Sequence, residues 1–236
     1  MGFLNIKNAT NDPFRKKWVE NTISEVVRSI KSSNRLDSIS LLDVGAGLSP
    51  FKEHIVSLGI NYFSHDFNEY SPSNSNPGLH DVSWDYPRHD FNCDVLLIPS
   101  TKKFDLILCT EVLEHIPDPV SVFKKLNELV SDNGYIIITV PFLSLKHQAP
   151  FWFSSGLSDY WFEFWAKELG LNVVDLAISG DYIDLMSQEI YRLFNFNSAF
   201  RFVPFILSKL VKLIRPLLKD DVLTSGGFNT LFVAKK

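Results

Sequence analysis

Four acids close four apolar runs in this sequence. Asp43 follows Ile39 to Leu42, Asp66 follows Asn61 to His65, Asp94 follows Phe91 to Cys93, and Glu111 follows Phe104 to Thr110. Singly, an acid after a strand is a helix cap or a loop residue. In series, such acids mark the carboxyl edge of an open α/β sheet, where ligands bind. An acid at the second position accepts hydrogen bonds from ribose hydroxyls, and Phe67 beside it offers a face for a flat ring. Two histidines bring proton chemistry, because imidazole is the side chain best suited to general base work near neutral pH. His115 follows Glu114 after the fourth run, and His147 lies in PFLSLKHQAPFWF.

The first acid belongs to LLDVGAGLSPF, residues 41 to 51. Gly45 and Gly47, on either side of Ala46, allow a tight turn and a close approach of backbone to ligand. Ser49 and Pro50 read as a helix start, a capping hydroxyl followed by the residue suited to the first helical position. Strand, glycine turn and helix together open a nucleotide-binding α/β domain. A dinucleotide fingerprint needs a third small residue where the helix packs on the strand, and Pro50 stands there. Asp43 also repels a pyrophosphate. A ligand with a cationic amino group and no phosphates suits this edge, and S-adenosyl-L-methionine (SAM) has that character.

The elements that must position these groups are legible as a series. Asp12 and Pro13 begin a helical pattern carrying Phe14, Trp18, Val19, Ile23, Val26, Val27 and Ile30, read as a cover for the sheet edge or the site's mouth. Strands are expected at residues 39–44, 61–67, within 91–98, at 104–109, 135–140, 171–178 and 228–234. Helices are expected at residues 50–58 and 119–130, with an aromatic one between Ser154 and Gly170. Residues 69–89, rich in Ser, Pro, Asn and Asp, read as a long loop. Alternating strands and helices call for a mostly parallel sheet covered on both faces.

The 236 residues suit one domain, divided into a helical cap (1–37), a core (38–180), a helical insertion (181–222) and a final strand (223–236). Net charge of −4 makes no whole-protein case for nucleic acid, so DNA and RNA are not expected partners. Cys93 and Cys109 are the only cysteines; they offer no disulfide framework and no Cys-rich zinc site, which fits a reducing cytoplasm. Residues 200–219 carry Arg201, Lys209, Lys212, Arg215 and Lys219 with no acid, in an apolar background too interrupted to span a bilayer. Two readings stand for them. One is peripheral contact with the inner membrane face; the other is packing or homodimerisation.

DVGAG, HDF, CDVLLIP, FDLILCTEVLEHIPDP and LNELVSDNGYIIITVP, in that order, resemble the class I SAM-dependent methyltransferases over roughly residues 38–180 and the final strand. The resemblance implies a Rossmann-like, seven-stranded, mostly parallel sheet with the last strand antiparallel. It implies that Asp43, Gly45, Ala46 and Gly47 contact the methionyl part and ribose of SAM. Asp66 would hold the ribose diol, Asp94 the adenine amino group with Val95 beside the ring, and Thr110 and Glu111 the floor near the sulfonium. Ser64-His65 departs from the family's small apolar run before the second acid.

His147 and His115 are the candidate catalytic bases, and no metal is assigned. A sharper alternative groups Glu111, Glu114, His115 and His147, because a family that methylates the terminal ribose of small RNAs holds a divalent metal with a similar pattern. The aromatic stretch from residue 142 to 165 resembles methyltransferases of bacterial sugars and cell-surface glycans. The expected acceptor is therefore a small molecule, with a sugar or glycan hydroxyl first and quinone or lipid-like acceptors as the alternative. Outside this class stand an NAD(P)-dependent oxidoreductase and a non-catalytic SAM-binding module.

Overall fold

The computed structural model describes residues 12–32, 38–70, 87–194 and 202–236. Seven strands form one sheet in the order β3-β2-β1-β4-β5-β7-β6. They are β1 (Ile39–Val44), β2 (Ile60–Asp66), β3 (Phe91–Asn92), β4 (Phe104–Thr110), β5 (Val130–Pro141), β6 (Asn172–Ile178) and β7 (Asn229–Lys235). The pairs β1·β2, β1·β4, β2·β3 and β4·β5 are parallel, whereas β7 runs antiparallel between β5 and β6.

Apolar residues on both faces of the central strands dictate the layers, since a strand sends alternate side chains to opposite sides. Leu42, Val44, Ile107, Cys109, Ile136 and Ile138 face one way and pack with Phe123 and Leu126 of α3 (Pro119–Leu129) and Phe162 of α4 (Asp159–Glu168). Leu41, Leu106, Leu108 and Ile137 face the other way, against Val19, Ile23 and Val27 of α1 (Asp12–Ser32) and Ile55 of α2 (Lys52–Ser57). Each fully buried side chain of this kind stabilises the fold by about 1.5–3 kcal/mol. Capping fixes where helices begin on the upper face: Asp118 accepts from the Ser121 amide at 3.0 Å, and Ser158 caps α4.

Several boundaries differ from expectation. The third strand is only two residues long, and Val95–Leu97 form a 3-10 turn, because Asp94 turns back to accept the Leu96 amide at 2.9 Å. Ser49 is not a helix cap: it sits at φ 54, and α2 starts at Lys52 after Phe51, with no side-chain cap. Asn133-Gly134 lies inside the span of β5, as a register irregularity against β4. Residues 71–86 of the expected loop lie outside the described residues.

The insertion leaves the sheet after β6 and returns at β7. It holds α5 (Tyr182–Phe194), α6 (Phe202–Leu213), a 3-10 turn (Arg215–Leu217) and α7 (Asp220–Leu223). Leu210, Leu213, Ile214 and Leu217 stand exposed. Two of the basic residues read as a charged face are neutralised instead. Lys212 pairs with Asp184 at 3.1 Å, and Arg215 with Asp181 at 3.0 Å and Asp184 at 2.8 Å. Arg201 lies outside the described residues. Among the described residues no helix is long and apolar enough to cross a membrane.

Candidate active site

Parallel strands β1, β2 and β4 end together, so their following loops share one edge. A cavity of about 1020 Å³ opens there, and every residue singled out for cofactor or catalysis lines it.

The cofactor end is built by short-range geometry. Gly45 (φ 68) and Gly47 (φ 53) occupy the left-handed region that favours glycine. A Cβ on Gly45 would stand 2.3 Å from Cγ2 of Val112, so the turn is closed against the loop after β4. The Gly47 amide donates to Oδ2 of Asp66 at 2.9 Å, and the Asn68 amide to Oδ1 at 2.8 Å. Asp66 is therefore oriented by backbone from two loops. Asp43 is 1% exposed and accepts from the Tyr62 hydroxyl at 2.8 Å. Burial pushes its carboxyl up to about 7, the Tyr62 hydroxyl acts against this, and the Asp66 charge adds to it. A cationic ligand group beside Asp43 would restore the carboxylate, which is the chemistry expected of that position. Phe67 stands at the rim, its ring 5.6 Å from that of Phe151 and nearly perpendicular to it. Val95 is buried behind Asp94.

Glu111 has a different environment from the one expected. It adopts φ 55, and its carboxylate accepts from Thr139 Oγ1 at 2.9 Å and from Asn229 Nδ2 at 3.1 Å, with Arg15 of α1 at 3.4 Å. Arg15 and Asn229 both line the cavity and were not found from sequence. No motif marks them: one is a turn of a covering helix, the other the first residue of a strand. Of α1, Arg15 reaches the cavity while Val19, Ile23 and Val27 pack on the sheet.

The opposite end gathers Glu114, His115 and His147, whose ligand atoms lie within 4.8 Å of one another. Glu111 does not join them, so the sequence grouping of four is reduced to three. His115 Nδ1 meets the Phe151 carbonyl, and His147 Nδ1 the Leu145 carbonyl at 2.9 Å. Carbonyls only accept, so a neutral ring at either place carries its hydrogen on Nδ1 and leaves Nε2 bare. Glu114 is fully buried, and neither side-chain oxygen has a hydrogen-bond partner. Its Oε1 is 3.5 Å from His115 Nε2, a distance that suggests an ion pair. Burial argues against one. It raises the Glu114 carboxyl well above its usual range, helped by the Glu111 charge, and lowers His115 to about 4, helped by His147. His115 is therefore neutral at pH 7, and burial biases Glu114 toward its protonated form.

The residues present fit SAM. Two carboxylates and a glycine turn suit its amino group and ribose, and Phe67 with Val95 suits a flat base. Known proteins share the domain and the fold. A family model described as a methyltransferase domain matches residues 17–192. The ubiquinone biosynthesis O-methyltransferase of Colwellia psychrerythraea is 32% identical over 139 residues, 57% of this chain and 55% of that protein. The protein of the same name from Leptothrix cholodnii is 25% identical over 131 residues, 54% of this chain and 51% of that one. The chain thus spans about half the length of the curated relatives it matches. In fold, it resembles a SAM-dependent methyltransferase from Archaeoglobus fulgidus, with a TM-score of 0.56 at 17% identity over 96% of this chain and 97% of that one.

Proposed function

The chain belongs to the methyltransferase-domain family, and we propose that it is a class I enzyme that transfers the methyl group of SAM to a hydroxyl of an apolar small molecule. The observation that carries this reading is the convergence of the cofactor residues and both histidines on one cavity. When bound, SAM supplies an electrophilic methyl on a sulfonium.

The chain's own part is alignment, exclusion of water and removal of a proton. Asp43 and Asp66 would orient the cofactor from the glycine turn, Phe67 and Val95 would lie beside its base, and bound SAM would offer its methyl to the acceptor oxygen with the sulfur as leaving group. The hydroxyl proton passes to Nε2 of His147, whose Nδ1 is anchored on the Leu145 carbonyl. His115 backs that ring as a neutral group, its own ring 4.7 Å away, with Glu114 buried beside it.

For the acceptor, the printed names of the relatives favour the quinone alternative over the glycan reading. The apolar rim, with Leu143, Leu145 and Phe153 about half exposed, suits an aromatic ring bearing an apolar chain. The exposed stripe of α6 leaves both contacts read for residues 200–219, a membrane face and a second copy of the chain, as proposals. Vesicle sedimentation and light scattering separate them.

A second reading is favoured by one observation, the three donors within 4.8 Å of one another. There Glu114, His115 and His147 would hold a divalent cation that acidifies the acceptor hydroxyl in place of the His147 base. Titration with S-adenosylhomocysteine (SAH), followed by turnover of a catechol acceptor with and without EDTA, tests both. Micromolar SAH binding and EDTA-resistant turnover support the His147 reading, and EDTA-sensitive turnover restored by added cation supports the second. Absence of SAH binding removes the cofactor assignment.

A further inference from the structure

The ring of His65 touches both halves of the cofactor edge, and the mechanism gives it no part. Residue 65 lies on β2, registered against Val44 on one side and Phe91 on the other. Its carbonyl accepts from the Ala46 amide at 2.9 Å. Its Nε2 is 2.8 Å from the Cys93 carbonyl, and its Nδ1 faces the Gly45 amide at 3.5 Å. A carbonyl only accepts and an amide N–H only donates, so these contacts fit one state of the ring. That state is neutral, with the hydrogen on Nε2 and a bare Nδ1. The tautomer is opposite to that of the two catalytic histidines. The ring is 4% exposed.

We propose that His65 is a positioning residue for the cofactor: its neutral ring spans from the glycine turn to the Asp94 loop and fixes the spacing of the two segments that hold opposite ends of SAM. Gly45 belongs to the first segment, and Cys93 directly precedes Asp94 in the second. A proton added to Nδ1 turns the Gly45 contact into two opposed donors and releases the turn. Burial opposes that proton and holds the ring below the usual histidine range. The other groups facing the ring are Asp66 on its own strand, His89 ahead of β3 and Asp94 beyond it. Asp43 lies two residues before Gly45 on β1.

This inference rests on the SAM reading, and the test keeps the two apart. SAH affinity is measured by calorimetry for the natural chain, His65→Gln and His65→Phe at pH 7.5 and 5.5, beside nitrogen-15 NMR of the His65 ring. His65→Phe fills the space without either polar contact and is expected to bind about tenfold more weakly at pH 7.5. His65→Gln keeps a donor toward Cys93 and loses about threefold by the same reasoning. The ring shows its hydrogen on Nε2 at pH 7.5, and wherever acidification protonates it the natural chain loses affinity that His65→Gln keeps. Should His65→Phe fail to fold, the glutamine variant and the spectrum still decide. Binding by His65→Phe within twofold of the natural chain, a protonated ring with no loss of affinity relative to His65→Gln, or a neutral ring with its hydrogen on Nδ1 would each overturn the proposal. If the natural chain binds no SAH, the cofactor reading fails, and the spectrum still reports the two ring contacts.

Discussion

Asp66 and Glu114 are both carboxyl groups at the same edge of the sheet, and their surroundings are opposites. Both oxygens of Asp66 accept backbone amides, from the glycine turn and from its own loop. Both oxygens of Glu114 are buried with no hydrogen-bond partner. A carboxylate held by two amides is a finished binding group, oriented before any ligand arrives. A buried carboxyl without partners is costly to the fold, and such groups concentrate where chemistry needs a proton or a cation. On the proposed function, the cofactor end is organised for affinity and the histidine end for reactivity.

That division can be broken by experiment. His147→Ala is expected to lower turnover by about a hundredfold or more, the scale of a lost general base, while SAH affinity stays within twofold. Equal losses in both would merge the two ends into one. Gly45→Ala acts in reverse. Strain at φ 68 and the 2.3 Å approach to Val112 should weaken SAH binding by about ten- to a hundredfold, read by calorimetry. Asp66→Ala should cost about tenfold in SAH affinity and leave the thermal midpoint nearly unchanged, since the amides it releases can reach water.

Asp43 sharpens the comparison from inside the cofactor end, because it shares burial with Glu114. Its folded pKa of about 7 exceeds the ordinary 3.8, so the folded chain binds the proton more tightly than the unfolded one. Stability from this group is fully present below pH 3.8, declines as pH rises, and is exhausted by about 7. Asp43→Asn should therefore gain midpoint over the natural chain progressively between pH 4 and 7 and keep a constant margin above. A constant margin over the whole range would place Asp43 in water. The smallest effect is expected far from both ends: Lys212→Ala removes a half-exposed ion pair and should change unfolding free energy in denaturant by less than about 1 kcal/mol.

What sequence revealed follows the same line. Asp43, Gly45, Asp66 and Asp94 were legible because each lies at or within two residues of the carboxyl end of its strand, and parallel strands put those ends on one edge whatever their order in the sheet. The layers were legible from runs such as YIIITV, which is buried on both faces. Glu111 lines the cavity, but its partners were hidden. Arg15 and Asn229 reach it across 96 and 118 positions of sequence, and no local pattern encodes such contacts. The grouping of Glu114 with His115 and His147 was visible as residue types only. Which carboxylate joined them was decided by the backbone at Glu111, whose left-handed turn sends its side chain toward Thr139 and Asn229. Ser49 misled because Ser-Pro signals a helix start irrespective of the conformation that the preceding turn imposes.

The place of β7 has a consequence for how the molecule is made. It follows β5 and β6 in sequence yet sits between them, so each of those strands faces an open edge until Asn229–Lys235 have been made. Strands with open edges invite wrong partners during synthesis. The two ends of the site also mature at different times. The glycine turn and Asp66 can settle once β1, β2 and β4 have emerged, whereas the Phe142 amide waits for the Phe228 carbonyl, Leu157 for the Thr230 hydroxyl, and Glu111 for Asn229. A nascent chain acquires its cofactor cradle first and its reactive end only once β7 has been made.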